Sequence, residues 1–378
     1  MRYMKKKVKG KKGFKKVFRY WSVYGLSRTL NKVSGRLRSF NIFKPKFLSR
    51  NPVIGLIGCG QFQFSTIAYF LSKGKKNRFL FCYDIDEKKA ESLGKYYKVP
   101  AVVREQEEVY NQSGTDLVYI ASNHASHTTY ALKFLEKDIN VYCEKPVSVT
   151  FTQFESLIKS INKSNGSFYA GYNRPYSQAV QKIKQRVKEK NNTVGKFSLN
   201  CFISAHDIPE DHWYRNPEEG TRICGNVGHW LDLMIHMYNW RGYIPKAFKV
   251  QIAYSNTKEP DDNITISITT PEGDITSITI TARSEPFEGI NETINFQYDT
   301  IIAKIDDFRR LTIWDEEKLY KKKYRPKDVG HKRSVMQPFE KDNRDLNEVI
   351  ASTELMLHIT EMVRNTVTEK EIELTRSL

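Results

Sequence analysis

The chain has 378 residues, 39% of them hydrophobic and 12% aromatic, and a net charge of +18 at pH 7. This length accommodates two domains with separate cores, and no apolar run approaches the ~18–20 residues that a membrane-spanning helix needs. The five cysteines are scattered, without a CxxC pair or metal-ligand spacing, which argues against a disulfide framework or a zinc cluster and favours reduced thiols in a cytoplasmic protein.

The excess positive charge belongs to an amino-terminal arm. Residues 1–50 contain 17 Lys or Arg and no Asp or Glu, whereas the remainder holds 44 basic and 43 acidic side chains. We expect disorder at the start of the arm, because like charges repel and apolar residues are scarce there. From Phe14 to Leu26 aromatic and basic residues are mixed, which suits a solvated tail partly packed on the body, a helix at an anionic membrane surface, or contact with a partner. No nucleic-acid motif accompanies the arm, so specific nucleic-acid binding is not expected, and a peripheral position at the inner face of the membrane stays open.

A glycine turn follows the first apolar segment of the body. Val53–Ile57 is predicted to be a buried strand, Gly58 and Gly60 form a Gly-x-Gly turn, and Gln61 and Phe62 begin the next helix. Such a turn lets the backbone approach a pyrophosphate, and the helix amino terminus offers it N–H groups and partial positive charge. A Gly-x-Gly turn alone is a weak signal, since an ordinary tight turn can have the same residues.

An acidic residue stands about twenty positions further on. Phe79–Tyr83 is predicted to be the second strand and ends in Asp84, whose carboxylate can accept hydrogen bonds from the adenosine ribose. A carboxylate repels a 2′-phosphate, and no Arg follows, since Ile85 and Asp86 come next. NAD is therefore favoured over NADP. The alternative role of Asp84, capping the following helix, suits Asp86 better.

Two further predicted strands, Leu117–Ala121 and Asn140–Cys143, end in polar residues. Ser122, Asn123 and His127 follow the first, and Glu144, Lys145 and Pro146 follow the second. Both strands end at the carboxyl edge of a parallel sheet, where ligands bind. Lys145 is expected to be partly buried there, which lowers a lysine pKa towards the range useful for proton transfer; a surface lysine is the alternative.

The second half supplies candidates for a substrate site. Residues 173–176 follow the last strand of the predicted parallel sheet and should line the cleft between the domains. Residues 228–240 are predicted to form a helix on which His229, Asp232 and His236 share one face. That face suits a catalytic His229 supported by Asp232, a structural Asp232–His236 pair, or a metal site, although no further ligand cluster supports a metal.

The rest of this half is predicted more coarsely. Trp213, with His206 and His212 on the same loop, is a candidate sugar contact, because aromatic faces stack on sugar rings. Six alternating runs between 247 and 313 predict strands of a sheet with one covered face. Residues 314–337 are predicted to be a surface loop and residues 338–365 to be helical.

Together these segments resemble the Gfo/Idh/MocA family of nicotinamide-dependent oxidoreductases over roughly residues 51–330. The resemblance is carried by GLIGCGQFQ, Asp84, ASNHASH, CEKP at 143–146, GYNRPY at 171–176 and GNVGHWLDL at 225–233. It implies an α/β chain, with a Rossmann domain over residues 51–172 and, over residues 173–378, an α+β domain with a large, mostly antiparallel sheet. Because that sheet commonly forms a dimer interface in the family, a homodimer or homotetramer is expected. The run from GCGQF to IDDFRRL also resembles a branch associated with bacterial surface-polysaccharide biosynthesis.

The resemblance also assigns roles. Lys145 and His229 match the family's catalytic Lys and His, Glu144 and Pro146 match residues that shape the nicotinamide pocket, and Asn123 and His127 match cofactor-side positions. Ser122 is a further cofactor candidate, and the substrate candidates are Asn173, Arg174, Tyr176, Trp213, Asn226 and Asp232. No metal ligand is implied.

Two departures from the family pattern stand out. Gln63 replaces the usual small third residue of the glycine turn, where it can crowd the pyrophosphate or alter the helix start. Many members carry an acid four residues before the catalytic His, but here that position is Gly225. The chain therefore has the Lys and the His of the family's Lys–Asp–His triad, at Lys145 and His229, but not its acid.

The sequence thus predicts an NAD-dependent oxidoreductase that acts on a secondary hydroxyl or keto group of a sugar or nucleotide sugar. The missing acid at Gly225 motivates one alternative, a catalytically degenerate NAD-binding sensor or assembly subunit.

Overall fold

The computed structural model describes residue 15 and residues 17–38, 51–190, 194–255, 258–283 and 289–378. The predicted disorder at the start of the arm lies outside these residues.

Eleven helices of four residues or more are numbered here in the described parts of the chain. They are α1 (17–24), α2 (Leu26–Leu37), α3 (Ala68–Lys73), α4 (Glu87–Tyr97), α5 (Gln106–Val109), α6 (His124–Leu135), α7 (Phe151–Lys163), α8 (Gln178–Glu189), α9 (Gly228–Tyr238), α10 (His331–Met336) and α11 (Leu346–Arg364). Two π-helical turns, Gln63–Ile67 and Ile223–Val227, precede α3 and α9.

Fifteen strands are numbered in the same parts. They are β1 (Ile54–Ile57), β2 (Phe79–Tyr83), β3 (Ala101–Val102), β4 (Leu117–Ile120), β5 (Asn140–Cys143), β6 (Phe168–Ala170), β7 (Phe197–Ser204), β8 (Ala247–Tyr254), β9 (Ile264–Thr269), β10 (Ile275–Thr281), β11 (Asn291–Tyr298), β12 (Ile301–Asp306), β13 (Arg310–Asp315), β14 (Lys318–Lys323) and β15 (Glu369–Glu373).

The first six strands form a parallel sheet in the order β3-β2-β1-β4-β5-β6. Both β1 and β4 are buried along their whole length, as expected for continuous apolar runs covered by helices on both faces. The strand order reverses between β1 and β4, so a crevice opens at their carboxyl ends. This arrangement confirms the predicted Rossmann fold.

The remaining nine strands form a second sheet in the order β14-β13-β12-β11-β7-β10-β9-β8-β15. Every neighbouring pair is antiparallel except β7 and β10. Burial alternates along β7 and β8, and the covered face packs against α8, α9 and α11 in one apolar cluster. The mostly antiparallel sheet confirms the predicted fold of the second half.

The predicted loop at residues 314–337 was wrong. It contains β14 and α10. Strand β14 lies at an edge of the sheet and pairs with β13 through its backbone, while its largely lysine side chains stay mostly exposed. Edge strands are often rich in lysine, so the alternating apolar pattern that marks a strand is missing from the sequence here.

The described part of the arm packs on the body. The backbone N–H of Lys327 donates to the carbonyl of Val23 (2.8 Å), and Asn31 Nδ2 donates to the Tyr97 hydroxyl (3.2 Å). The buried residues of α2 are small or polar, namely Thr29, Asn31, Ser34 and Gly35. Its leucines, Leu26, Leu30 and Leu37, are exposed instead. Contact of this apolar face with a membrane surface stays a prediction, and no helix in the described ranges is both long and apolar enough to cross a bilayer.

Candidate active site

The turn after β1 leaves room for a ligand at its surface. Gly58 has a φ of +79°, and a Cβ there would lie 2.5 Å from the backbone of Ala121, so only glycine fits. At Gly60, by contrast, no described residue beyond its chain neighbours comes within 4 Å of a Cβ position. The helix that starts at Gln61 leaves the N–H groups of its first turn free for an anion. The turn therefore fits the predicted pyrophosphate contact.

Asp84 lies at this turn. Its Oδ2 accepts a hydrogen bond from the Cys59 N–H (2.6 Å), and its Oδ1 accepts one from the Asp86 N–H (2.8 Å). Each carboxylate oxygen retains a second lone pair, so a ribose hydroxyl can still donate to it. Asp86 is the N-cap residue of α4, as the sequence suggested, although its side chain makes no capping hydrogen bond. Gly58, Gly60 and Asp84 together fit a dinucleotide.

Gln63 does not occupy the space in front of the turn. The residue is fully buried, and neither its Oε1 nor its Nε2 has a hydrogen-bond partner among the described residues. It begins the π-helical turn that precedes α3. Of the two expected consequences of this departure, the altered helix start is therefore the one observed.

Lys145 is held at the carboxyl edge of the first sheet. Its Nζ donates a hydrogen bond to the carbonyl of Gly225 (2.8 Å), and its peptide bond to Pro146 is cis. The neighbouring Glu144 accepts a hydrogen bond from the Tyr142 hydroxyl (3.0 Å). Burial raises the pKa of Glu144 to about 7, with Lys145 opposing the shift. Lys145 is partly buried, as predicted for a lysine at the edge of the sheet.

Gly225 explains the missing acid. A Cβ at this position would lie 2.6 Å from Tyr214 Cε2 and 3.0 Å from His124 Cε1, so a carboxylate side chain has no room. Gly225 lies in the π-helical turn before α9. Its carbonyl oxygen accepts the hydrogen bond from Lys145 Nζ.

His229 lines a cavity of about 410 Å³ together with Asn173, Arg174 and Phe62. Its Nδ1 is buried and has no hydrogen-bond partner among the described residues. Burial, with a contribution from Arg174 and Lys145, holds the pKa of His229 well below its ordinary value. The imidazole is therefore neutral at pH 7 and has a nitrogen available to a ligand.

Asp232 and His236 were wrongly placed by the sequence analysis. Asp232 is fully buried and accepts two hydrogen bonds from Arg344 Nη1 (2.8 and 3.0 Å), so it does not face the substrate cavity or support His229. His236 pairs with Glu348 (2.7 Å) and not with Asp232. Helix α9 is buried on nearly all sides, so each polar side chain in it needs a partner from a neighbouring element. Across the described residues no group of three or more His, Cys, Asp or Glu could hold a metal ion.

Comparison with known proteins shows which family the first domain is similar to. Residues 53–172 match the model of the Gfo/Idh/MocA oxidoreductase family, NAD-binding Rossmann fold. This part of the chain is therefore similar to the NAD-binding domains of that family. The match agrees with the strand order, the glycine turn and Asp84 described above.

Relatives of the Gfo/Idh/MocA domain include sugar and inositol dehydrogenases. The chain is 24% identical over 192 residues to myo-inositol 2-dehydrogenase of Thermotoga maritima, which covers 50% of this chain and 54% of the relative. It is 24% identical over 194 residues to glucose-6-phosphate 3-dehydrogenase of Bacillus subtilis, which covers 50% and 53%. The chain thus matches about half the length of these curated relatives. A levoglucosan dehydrogenase solved with NADH and levoglucosan shares the fold, with a TM-score of 0.70, 13% identity, and coverage of 87% of this chain and 100% of that one.

The other cofactor-side candidates of the Gfo/Idh/MocA domain are already engaged. Asn123 Nδ2 donates to Glu219 Oε1 (2.7 Å), and the Ser122 hydroxyl accepts from Ser126 (2.7 Å). His127 is buried between the carbonyls of Pro146 (2.8 Å) and Ser122 (3.2 Å), and burial lowers its pKa to about 4. These contacts tie together the loops at the carboxyl edge of the sheet, so His127 positions the loop of Lys145.

The substrate candidates divide into two groups. Asn173 and Arg174 line the cavity of His229, and Trp213, 44% exposed, packs edge-on against His124 with ring centroids 4.7 Å apart. Asn226 is partly exposed beside Gly225. Tyr176 lies away from them, because its hydroxyl is buried without a partner among the described residues and its electrostatic neighbours are Arg344, Asp232 and Glu348.

Several site residues were missed by sequence reasoning. Glu219 holds the amino terminus of α6 through Asn123 and the Ala125 N–H (3.1 Å). The arm supplies four residues to the wall of the cavity, namely Tyr20, Tyr24, Arg28 and Lys32. Nothing in the spacing of these residues relates them to the Gfo/Idh/MocA motifs. Only the basic, aromatic composition of the arm hinted at a binding role.

Arg38 modifies the cofactor prediction. Its Nη2 donates to the carbonyl of Cys59 (2.5 Å), within the glycine turn, and Asp84 is one of the groups whose charge acts on it. NAD was preferred because no arginine directly follows Asp84 in the sequence. In the folded chain an arginine does lie close to Asp84. That arginine is Arg38, which comes from the arm.

Proposed function

We propose that this chain is an NAD-dependent dehydrogenase that transfers a hydride between nicotinamide and a secondary hydroxyl or keto carbon of a sugar or nucleotide sugar. The observation that carries the proposal is the position of Lys145. Its ammonium is fixed by the Gly225 carbonyl at the carboxyl edge of the first sheet, the edge to which the glycine turn and Asp84 also belong. A lysine and a histidine beside a dinucleotide site suit proton transfer coupled to oxidation of an alcohol.

In the proposed mechanism the protein positions the substrate oxygen and moves its proton. When bound, the nicotinamide supplies the hydride acceptor or donor. Lys145 Nζ donates a hydrogen bond to the reacting oxygen and stabilises negative charge on it. When Lys145 is an ammonium, the proton passes to neutral His229; Lys145 can take the proton only as a neutral amine. The Gly225 carbonyl can hold Lys145 but cannot act as a base at neutral pH.

Names of the relatives support the substrate class. They act on an inositol, a glucose phosphate and an anhydrosugar, which share a ring with secondary hydroxyl groups. We propose the same chemistry here. A role in surface-polysaccharide biosynthesis is a narrower proposal, supported only by the resemblance of the run from GCGQF to IDDFRRL.

The assembly is also a proposal. The open face of the second sheet carries exposed Phe202, Ile275, Ile302 and Trp314. Ile302 and Trp314 are paired on neighbouring strands, and exposed apolar residues on an open face favour pairing with a second copy. Light scattering coupled to gel filtration tests this, and a monomer at micromolar concentration contradicts it.

A substitution at Lys145 tests the proposed chemistry. For Lys145→Ala we expect turnover to fall at least ~100-fold while NAD binding is kept, because general acid–base groups contribute about 10²–10⁴ in rate. Lys133→Ala, on the exposed side of α6, is the control. Turnover is followed as NADH absorbance across sugars and nucleotide sugars. Near-normal turnover in Lys145→Ala would overturn the assignment, and NAD binding without turnover by the unchanged protein would favour the non-catalytic sensor or assembly subunit.

The choice of cofactor is tested at Arg38. We expect thermal-shift titration to give a larger shift with NAD than with NADP, because the Asp84 carboxylate repels a 2′-phosphate. If Arg38 offsets that repulsion, Arg38→Gln weakens NADP binding more than NAD binding. A protein that shifts with neither dinucleotide contradicts the proposed function at its first step.

A further inference from the structure

The arm forms one wall of the cavity that contains His229. Tyr20 and Tyr24 come from α1 and Arg28 and Lys32 from α2, while the body contributes residues that include Arg174, Lys327 and His331. The cavity of about 410 Å³ is large enough for a sugar ring with one substituent group. Without the arm this wall would be absent.

Specific contacts fix α2 in that position. Gln61 Nε2 donates to the carbonyl of Lys32 (3.3 Å), so α2 touches the glycine turn directly. The Tyr97 hydroxyl accepts from Asn31 and donates to the Phe64 carbonyl (2.7 Å). At Gly35 a Cβ would lie 2.7 Å from Gln61 Nε2, so α2 approaches as closely as a glycine allows. The arm is therefore built into the site.

The arm also brings two cations, Arg28 and Lys32, to the wall of the cavity. Of the body's cations in the wall, Arg174 forms a bidentate pair with Glu292 (2.8 and 3.1 Å), and Lys327 pairs with Asp307. Arg28, in contrast, forms no ion pair with a described carboxylate, and its guanidinium lies 5.2 Å from the ring centroids of both Tyr24 and Phe70. Lys32 Nζ lies 4.2 Å from the ring centroid of Tyr20. Arg28 and Lys32 are one helical turn apart, so both can reach one ligand group.

Two partly buried histidines of the cavity, His229 and His331, are acted on by neighbouring positive charges. Burial, followed by Arg28, Arg174 and Lys327, lowers the pKa of His331 well below its ordinary value. The Nδ1 atoms of His229 and His331 are both buried without a hydrogen-bond partner among the described residues. The cavity thus combines neutral histidines with unsatisfied nitrogens and two arm cations.

We propose that Arg28 and Lys32 bind the phosphate group of a phosphorylated substrate, either a sugar phosphate or a nucleotide sugar, while its sugar ring lies towards His229. A phosphate offers several charged oxygens to a guanidinium fork and an ammonium at once, which a neutral sugar does not. The identity of the ring as a sugar rests on the proposed function, whereas the phosphate contact rests on the arm alone. The arm is then a substrate-binding element.

The test compares Arg28→Gln and Lys32→Gln with a matched control, Arg36→Gln, on the exposed side of the last turn of α2. Saturating NAD fills the dinucleotide site, and glucose, glucose 6-phosphate, inorganic pyrophosphate and UDP are then titrated by thermal shift and calorimetry. We expect at least one phosphate-bearing probe to bind the unchanged protein, and Arg28→Gln and Lys32→Gln to bind it about tenfold or more weakly, since a charge-assisted hydrogen bond contributes about 1.5–3 kcal/mol. Arg36→Gln should bind as the unchanged protein does. Glucose 6-phosphate and UDP separate the sugar-phosphate form from the nucleotide form.

Arg28→Lys serves as the conservative variant, because it keeps the charge and should recover part of the affinity. The proposal is overturned if Arg28→Gln and Lys32→Gln bind every phosphate-bearing probe as tightly as the unchanged protein does. It is also overturned if the unchanged protein binds none of glucose 6-phosphate, pyrophosphate and UDP. Loss of turnover in Lys145→Ala is measured separately. Phosphate binding that depends on Arg28 in a protein without turnover would therefore sink the proposed function and leave this inference standing.

Discussion

At the scale of single residues, the site depends on which atoms have room beside them. Gly225 has no room for a side chain, since Tyr214 and His124 lie close to the position that a Cβ would take. At Gly60 the same position is open. Both positions are glycine in the sequence, but they have opposite reasons for it. The first excludes a side chain so that a carbonyl can hold Lys145, and the second keeps a surface free for a ligand.

This contrast gives a paired prediction. Gly225→Ala should destabilise the fold by about 1–3 kcal/mol, because its Cβ forces the Tyr214 ring to move. Gly60→Ala should leave stability nearly unchanged and reduce the thermal shift given by NAD. Urea unfolding measures the first effect. In a Tyr214→Ala background the cost of Gly225→Ala should shrink, and an unchanged cost would show that the ring is not its cause.

At the scale of elements, a buried charge network joins α9 to α11 and the segment before it. Arg344 bonds Asp232 and Glu348, and Glu348 also accepts from His236 and Asn239. Burial raises the pKa of Asp232 to about 6 against the effect of Arg344. In Glu348 burial works in the same direction, but Arg344 and His236 outweigh it and lower the pKa to about 2. Because α9 also carries His229, this network helps to fix the position of His229.

Removal of Asp232 should show how much the network contributes to the free energy of unfolding. Asp232→Ala leaves Arg344 buried with one acid fewer, and we expect a loss of about 3–5 kcal/mol in the free energy of unfolding. The double variant Asp232→Ala/Arg344→Met should recover part of that loss, since no buried charge is then left unpaired. Urea unfolding of the three proteins checks this. A stable Asp232→Ala protein with a raised KM would instead restore Asp232 as a substrate contact.

At the scale of the whole molecule, buried titratable groups set how stability depends on pH. Seven of the eight histidines have lowered pKa values, and burial is the first cause in each. A lowered histidine pKa contributes stability above the unfolded value near 6.5, and this stability is lost as the pH falls towards the folded value, about 4 for His127 and His236. Glu144 and Asp232, with raised pKa values of about 7 and 6, act in the opposite direction, as do Asp261 and Asp307, whose pKa values burial also raises.

Since the seven histidines outnumber these four acids, the free energy of unfolding should fall between pH 6.5 and 5. Each histidine that is charged only in the unfolded state contributes a slope of about 1.4 kcal/mol per pH unit. Urea unfolding at fixed ionic strength measures this slope. His236→Gln should reduce the slope by the contribution of one histidine, about 1.4 kcal/mol per pH unit. A flat profile across this range would contradict the burial of the histidines.

Much of the fold follows from sequence periodicity. Strands β2 and β5 were predicted at their observed bounds, and β1, β4 and β8 to β13 to within one or two residues, because short buried strands and one-sided strands have distinctive apolar patterns. Strand β14 was missed because backbone pairing alone makes it a strand. The glycine turn, Asp84 and the Glu144–Lys145–Pro146 segment were also recognisable, since each lies directly at the end of a strand.

The sequence by itself determined the two sheets, the dinucleotide turn and the lysine at the sheet edge, because these depend on residues close together along the chain. Only the tertiary structure decided which partners distant residues have. It paired Asp232 with Arg344 and His236 with Glu348, it replaced a missing acid by the carbonyl of Gly225, and it placed Arg28, Lys32 and Arg38 of the arm beside the site. Burial forces each polar group to find a partner, and the partner is chosen by packing of elements far apart in the chain, which periodicity does not encode.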